Sequence, residues 1–324
     1  MTQKIKLRND LNADALFSQV HSGFEKIQDH RSKNSTISLP DALMSGFAMF
    51  SLKDPSLLAF DKRQSDDTNL QTIYNIENVP GDTQMRTILD NVDPADIEPS
   101  FNDIFRKLQR GKVLEPMIFM NRSYLISIDG TGYFSSNQIH CDSCCTKTNS
   151  KTGEITYQHQ MLGAVIVHPD IKEVIPLAPE PIIKQDGETK NDSERNASKR
   201  LLEKIRKTHP RLHLIVIEDG LSSNAPHISE LKKHQMHYIL GAKKGDHAFL
   251  FDYVESAAKD GLTTEIEYQN DDVVHKFRFI NQVPLNASNQ DILVNFVEYW
   301  QITPKKTMHF SWVTDLHVTE GNDA

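Results

Sequence analysis

The chain has 324 residues, 38% of them hydrophobic, which leaves room for two or three domains with real cores. Its formal net charge of −8 argues against a broadly basic nucleic-acid-binding surface, so any contact with phosphate must be local. No stretch approaches the ~18 consecutive apolar residues of a membrane span, and Met1 to Arg8 lack the apolar core of a secretory signal, so the expected location is the cytoplasm. The three cysteines, Cys141, Cys144 and Cys145, are odd in number and clustered, which excludes a disulfide framework.

Apolar residues at Leu16, Val20, Phe24 and Ile27 mark one face of a first helix. Ser38-Leu-Pro-Asp-Ala-Leu opens a second, with Pro40 tolerated in its first turn and Leu43, Phe47 and Phe50 on its apolar side. Further helices are expected at 55–62, 68–78, 82–91 and 99–110, separated by Asp54-Pro55, Pro80-Gly81 and Asp93-Pro94. Residues 1–115 thus form a helical N-terminal region. Within it, the helix that opens at Asp82 carries Thr83, Gln84, Arg86 and Thr87. Such residues read bases or phosphates from a recognition helix, making this a candidate DNA-end-binding region, and they equally cover a solvated helix face.

From Met117 the period changes to strands. Ser123-Tyr-Leu-Ile-Ser-Ile-Asp129 is an apolar run of the kind buried on both faces, ending in an acid, with Gly130 and Gly132 freeing the backbone and Thr131 adding a hydroxyl. Thr156 to Val167 and Lys172 to Ala178 read as the next two strands, and Asn191 to Thr208 as a helix burying Ala197, Leu201, Leu202 and Ile205. Leu212 to Ile217 is another buried-type strand, ending in Glu218-Asp219-Gly220; a helix around Pro226–His234 and a strand over Met236–Ala242 follow. The order β-β-β-α-β-α-β is that of a ribonuclease-H-like mixed α/β sheet. Residues 247–258 read as a helix, and strands are expected at 265–269, 273–280, 291–300 and 309–315.

Two strands in this order each deliver a carboxylate at the same end. A parallel pairing sets Asp129 beside Asp219, and two acids that close stay ionised together only around a cation. Hard oxygen ligands suit Mg²⁺ or Mn²⁺, which points to metal-dependent phosphoryl transfer. The plainer reading is two strand-end aspartates capping Gly-containing turns. The basic residues Lys199, Arg200, Lys204, Arg206, Lys207 and Arg211 form a helix face, while Lys243 and Lys244 follow a strand at the end of the sheet where the two aspartates emerge. The candidate DNA contacts are Thr131, Lys243, Lys244 and His247, the last of which serves equally as a helix cap. Trp300 and Trp312 either stack on bases or pack in the core. In His140-Cys-Asp-Ser-Cys-Cys145, Cys141 and Cys144 have zinc-ligand spacing, with His140, His159 or His168 available to extend the set; buried free thiols are the alternative.

Ile128-Asp-Gly-Thr-Gly-Tyr-Phe-Ser-Ser136, Tyr157-Gln-His-Gln-Met-Leu162, Val167-His-Pro-Asp170, Val174-Ile-Pro-Leu-Ala-Pro-Glu180, Lys190-Asn-Asp-Ser-Glu-Arg-Asn196, Glu218-Asp-Gly220 and Ile239 to His247 together resemble bacterial insertion-sequence transposases of the DDE class, over about residues 35 to 318. The resemblance implies a ribonuclease-H-like catalytic core at 116–259, a β-rich insertion at 260–308 and a return strand of the core at 309–324. It implies that Asp129 and Asp219 are two of three acids holding two Mg²⁺ (or Mn²⁺) ions. The implied partners are transposon terminal inverted repeats and target DNA, bound by a homodimer. The family's third acid, a glutamate on a helix after the Trp312 strand, has no counterpart here, since Glu298 falls in the insertion and Glu320 in a polar tail. The expectation is therefore a C-terminally shortened transposase with impaired activity of its own, exposed apolar surface and a tendency to self-associate. The alternatives are a non-catalytic DNA-binding remnant that regulates full-length transposase and a metal-dependent nuclease of the same fold.

Overall fold

A computed structural model describes residues 11–32, 34–64, 68–183 and 194–321. The chain divides into two units, Met1–Pro116 and Met117–Ala324. Among the described residues no helix is long and apolar enough to cross a membrane.

The first unit is helical: α1 (Ala13–Phe24), α2 (Leu39–Ser51), α3 (Leu57–Gln64), α4 (Asn69–Thr72), α5 (Asp82–Leu89) and α6 (Pro94–Arg110). Side-chain caps set the starts. Asn12 accepts from the Ala15 amide and Ser38 from the Asp41 amide, each satisfying a free N–H of a first turn. The helix expected from 99 begins at Pro94 instead, because Asp93 caps it and Pro94 occupies a first-turn position where its missing N–H costs nothing. The helix expected over 68–78 is cut to four residues. Asn75 turns left-handed at φ 55°, and the chain dips to bury Tyr74 and Ile76. Phe17, Phe47 and Tyr74 meet in the core, with Phe17 and Tyr74 stacked at 4.9 Å. The buried Asp41 carboxylate accepts the Glu77 and Asn78 amides at 2.9 and 3.2 Å, giving partners to backbone that has left the helix. On α5, Thr83, Gln84, Arg86 and Thr87 are exposed while Met85 and Ile88 are buried.

The second unit is a mixed α/β unit built on an open sheet. Its elements are β1 (Tyr124–Ser136), β2 (Cys145–Thr148), β3 (Ile155–His168), β4 (Ile171–Pro176), β5 (Glu180–Ile182), α7 (Glu194–Thr208), β6 (Leu214–Glu218), α8 (Ala225–Lys233), β7 (His237–Gly241), α9 (Ala248–Lys259), β8 (Thr264–Asn270), β9 (Val273–Asn286), β10 (Asn289–Ile302) and β11 (Thr307–Thr314). The strand order is β2-β3-β1-β6-β7-β11-β10-β9-β8, with β4 and β5 also paired to β3. β1, β6 and β7 run parallel and the remaining pairs are antiparallel. One fully buried row crosses four strands, Ile166, Ile126, Val216 and Tyr238, joined by register. A one-residue slip of any of these strands would turn this row to the other face.

Three expectations change here. The first strand does not stop at Asp129: it runs to Ser136 because β3 continues to pair with it after β6 has ended. The third expected strand is β4, but a further short strand, β5, follows it, and a short β2 forms inside the cysteine-bearing loop. The 260–308 strands continue the same sheet, since β11 pairs with β7 through Val313 and Leu240 and then carries β10, β9 and β8. The expected start of α7 at Asn191, with Lys190 of the same motif, lies outside the described residues.

Glu298 sits inside this extension. It lies opposite Arg278 on β9, both are buried, and Arg278 Nε donates to it at 2.8 Å. His309 Nε2 reaches its other oxygen at 3.0 Å, and Arg278 also pairs with Glu255 of α9 at 2.8 Å. The carboxylate is thus consumed by a structural ion pair. Glu298→Ala would leave the guanidinium buried with only half its partners, so a loss of about 3 kcal/mol is expected in chemical denaturation. A loss below about 1 kcal/mol would show that the pair does not hold β9 to β10.

Candidate active site at the end of the parallel strands

The β1–β6 register runs Tyr124↔Leu214 to Ser127↔Ile217, an offset of ninety positions that also separates Asp129 from Asp219. Neighbouring strands lie about 4.8 Å apart, so the two acids emerge level with one another on adjacent chains. Both are exposed, and both line one cleft of about 870 Å³ with Glu194, Arg195, Lys199 and His227. Each carboxylate uses one oxygen locally: Asp129 Oδ1 accepts the Gly130 amide at 2.8 Å and Asp219 Oδ1 the Leu221 amide at 2.9 Å. Among the described residues neither forms an ion pair, so the second oxygen of each is available to a ligand in the cleft.

The other acids on this cleft differ. Glu218 is bonded to the largely buried His227 of α8, and Glu230 is held by Lys233 and His234, with the Lys233 contact foremost in drawing its carboxyl below the usual range. Glu194 opens α7 and leans over β1: a Cβ on Gly130 would lie 2.5 Å from its Oε1. Glu194 and Arg195 belong to the Lys190 to Asn196 motif, but neither is among the site residues expected from the sequence. Their signal was weak but present, since Arg195 and Lys199 are four apart on one helix and so share a face.

Asp219 also lines a second cleft of about 650 Å³, with Lys243, Lys244, Glu298, Trp300 and Trp312. Lys243 and Lys244 are exposed at the end of β7, as their place after that strand predicts. Trp300 and Trp312 are half-buried in the cleft wall, neither free-standing nor in the core. Thr131 is exposed on β1 opposite Met161, on the same side of the strand as Asp129.

His247 departs from the expectation of a phosphate contact. It is buried, with Nε2 2.7 Å from the Ser223 carbonyl and Nδ1 3.3 Å from the Lys243 carbonyl, so it ties the start of α9 to the loop after Asp219. Part of the expected basic face is also structural. Arg200 and Lys204 pair with the buried Glu180 at 2.6 and 2.7 Å, and Arg206 donates to the His234 and Leu212 carbonyls. Lys199 remains exposed on the acid cleft.

The cysteine segment lies elsewhere, on the hairpin side of β3. Cys141 Sγ and Cys144 Sγ are 3.7 Å apart, and His159 Nε2 lies 3.2 and 3.3 Å from them. Of the candidate histidines only His159 converges on the thiols: His140 stacks on Tyr157 at 4.3 Å, and His168 Nδ1 accepts the Asp170 amide. Cys145 is buried with its sulfur on the Ile182 carbonyl.

The turn carrying Asp219 depends on a close backbone approach. A Cβ on Gly241 would lie 3.0 Å from the Gly220 nitrogen and 3.3 Å from the Asp219 carbonyl carbon, and backbone cannot swing aside as a flexible side chain can. Gly241→Ala is expected to cost about 1 to 3 kcal/mol, read by chemical denaturation. An unchanged stability would mean that the turn tolerates displacement.

Comparison of the chain with protein-family models gives no match, and comparison with curated proteins gives none.

Proposed function

We propose that this chain acts on DNA by metal-dependent phosphoryl transfer, as a DDE-type transposase with a ribonuclease-H-like core. The observation that carries the reading is the level placement of Asp129 and Asp219 on adjacent parallel strands, exposed and, among the described residues, without an ion-pair partner, in one cleft. The sheet supports it: an antiparallel β3 beside β1, then β6 and β7 parallel to β1, is the strand arrangement that the order β-β-β-α-β-α-β leads one to expect.

The donor set fits Mg²⁺ or Mn²⁺, since it offers hard carboxylate oxygens and no soft ligand. When bound, such an ion activates the attacking water or hydroxyl and stabilises the leaving 3′-oxygen. Asp129 and Asp219 would hold it, each oriented by the hydrogen bond that one of its oxygens accepts from a backbone amide. Glu194, which leans over Gly130 and lines the same cleft, is the carboxylate best placed to join them. Lys243 and Lys244 would meet the phosphate backbone, while Trp300 and Trp312 offer aromatic surface to an unpaired base.

A second reading is DNA binding without cutting. One observation favours it: among the described residues, the only three metal-capable side chains gathered within 4.8 Å are Cys141, Cys144 and His159, so no third acid stands at ligand distance from the pair.

Both readings meet the same assay. With duplex DNA from either side of its own reading frame, Mg²⁺ and a target plasmid, nicking and 3′-end joining are expected at a low rate, lost in Asp129→Asn and Asp219→Asn and reduced in Glu194→Gln. Mobility shifts should persist in all three variants. Binding without nicking by the parent chain selects the second reading, nicking without joining selects a nuclease, and absence of both binding and nicking removes DNA as the substrate.

Lys243→Ala and Lys244→Ala are each expected to weaken DNA binding uniformly across sequences. Each should also flatten the plot of log affinity against log salt by about one. An unchanged salt slope would place the phosphate path away from β7.

A further inference from the structure

We propose that Cys141, Cys144 and His159 bind one Zn²⁺ ion that staples the loop between β1 and β2 to β3, with water completing the tetrahedron. The site is separate from the acid pair and does not depend on its function. Three soft or borderline donors, brought from loop and strand, present their ligand atoms to a common point, and this is the donor chemistry that selects zinc.

The distances test the idea directly. Tetrahedral zinc with Zn–S of about 2.3 Å and Zn–N of about 2.0 Å sets its sulfurs about 3.8 Å apart and each sulfur about 3.5 Å from the nitrogen. The separations here are 3.7 Å between sulfurs and 3.2 and 3.3 Å from sulfur to His159 Nε2. A disulfide needs its sulfurs at about 2.05 Å, so these thiols are arranged around a point between them and not against each other. The backbone agrees: the Cys144 amide donates to the Cys141 carbonyl at 3.2 Å and the Cys141 amide to Cys144 Sγ at 3.3 Å, a tight turn that holds both sulfurs on one side.

The loop also needs an anchor. Residues 137–143 are all exposed, including Ile139 at 70%, and Cys144 is the first buried side chain after them. The segment buries no apolar side chain, and its contacts outside itself include the stacking of His140 on Tyr157 and a hydrogen bond from Asn137 to Glu154, which a cross-link at its end would reinforce. His159 is well placed to be that tie: it belongs to β3, paired near its position with Phe134 of β1, and its ring is set by stacking on Tyr133 at 5.8 Å. Cys141 is exposed, so solvent reaches the fourth position. Binding releases the thiol protons to solvent and leaves both sulfurs as thiolates.

The test is metal analysis of the full chain, purified without chelator and passed through gel filtration. One zinc per chain is expected, falling to less than about a tenth in Cys141→Ser and in His159→Ala and unchanged in Cys145→Ser and His140→Ala. Because a variant can lose metal by failing to fold, Co²⁺ is added to the metal-free parent chain as a second readout. The intense visible bands of tetrahedral, thiolate-ligated cobalt are expected, together with slower proteolysis within 137–144. A parent chain that retains no zinc and gives no such bands, or one whose mass shows a Cys141–Cys144 disulfide, overturns the proposal, as does full zinc retention by Cys141→Ser.

Discussion

The parallel pairing of β1 with β6 is the constraint on which the second unit depends. Four residue pairs, from Tyr124 with Leu214 to Ser127 with Ile217, set the register, and the buried row through Ile126 and Val216 makes any slip costly. Once that register is set, two carboxylates ninety residues apart in the chain must leave the sheet at the same level. β6 stops there and β1 does not. It stays paired with β3 as far as Ser136, while the acids line a cleft with Gly130, Leu162 and the start of α7.

What surrounds the acids is arranged to hold backbone in place. Gly241 lets β7 pass within van der Waals reach of the Asp219 turn, and His247 ties the same turn to α9 through the Ser223 carbonyl. The buried ion pair of Arg278 and Glu298 fastens β9 to β10 on the far side of the second cleft. Charges buried in this way stabilise only as matched sets, which is why Glu298 is unavailable for chemistry despite lining a cleft. Among the described residues Asp129, Asp219, Lys243 and Lys244 are exposed on the clefts and form no ion pair, so they can meet a ligand.

The chain therefore separates two kinds of site. At the parallel-strand end, the carboxylates of Asp129 and Asp219 face an open cleft, the setting that the proposed phosphoryl transfer requires. On the hairpin side of β3, thiols and an imidazole converge at a point with room for an ion and little else. The two proposals call for different ions, because carboxylate oxygens favour hard cations and thiolates favour zinc.

Local pattern was enough to locate most of what carries this account. Alternation and apolar runs placed the strands bearing Asp129 and Asp219, capping residues such as Ser38 placed α2, and two cysteines three apart marked a metal-ligand spacing. These are signals between near neighbours, and near neighbours are what a linear sequence records. Partners distant in the chain were decided by tertiary structure: β3 prolonging β1 past Asp129, His159 rather than His140 or His168 meeting the thiols, Arg278 claiming Glu298, Ser223 claiming His247, and Glu194 leaning over Gly130. Each of these depends on strand register and helix placement, which arise from burial summed over the whole sheet and leave no trace in the few residues around any one of them.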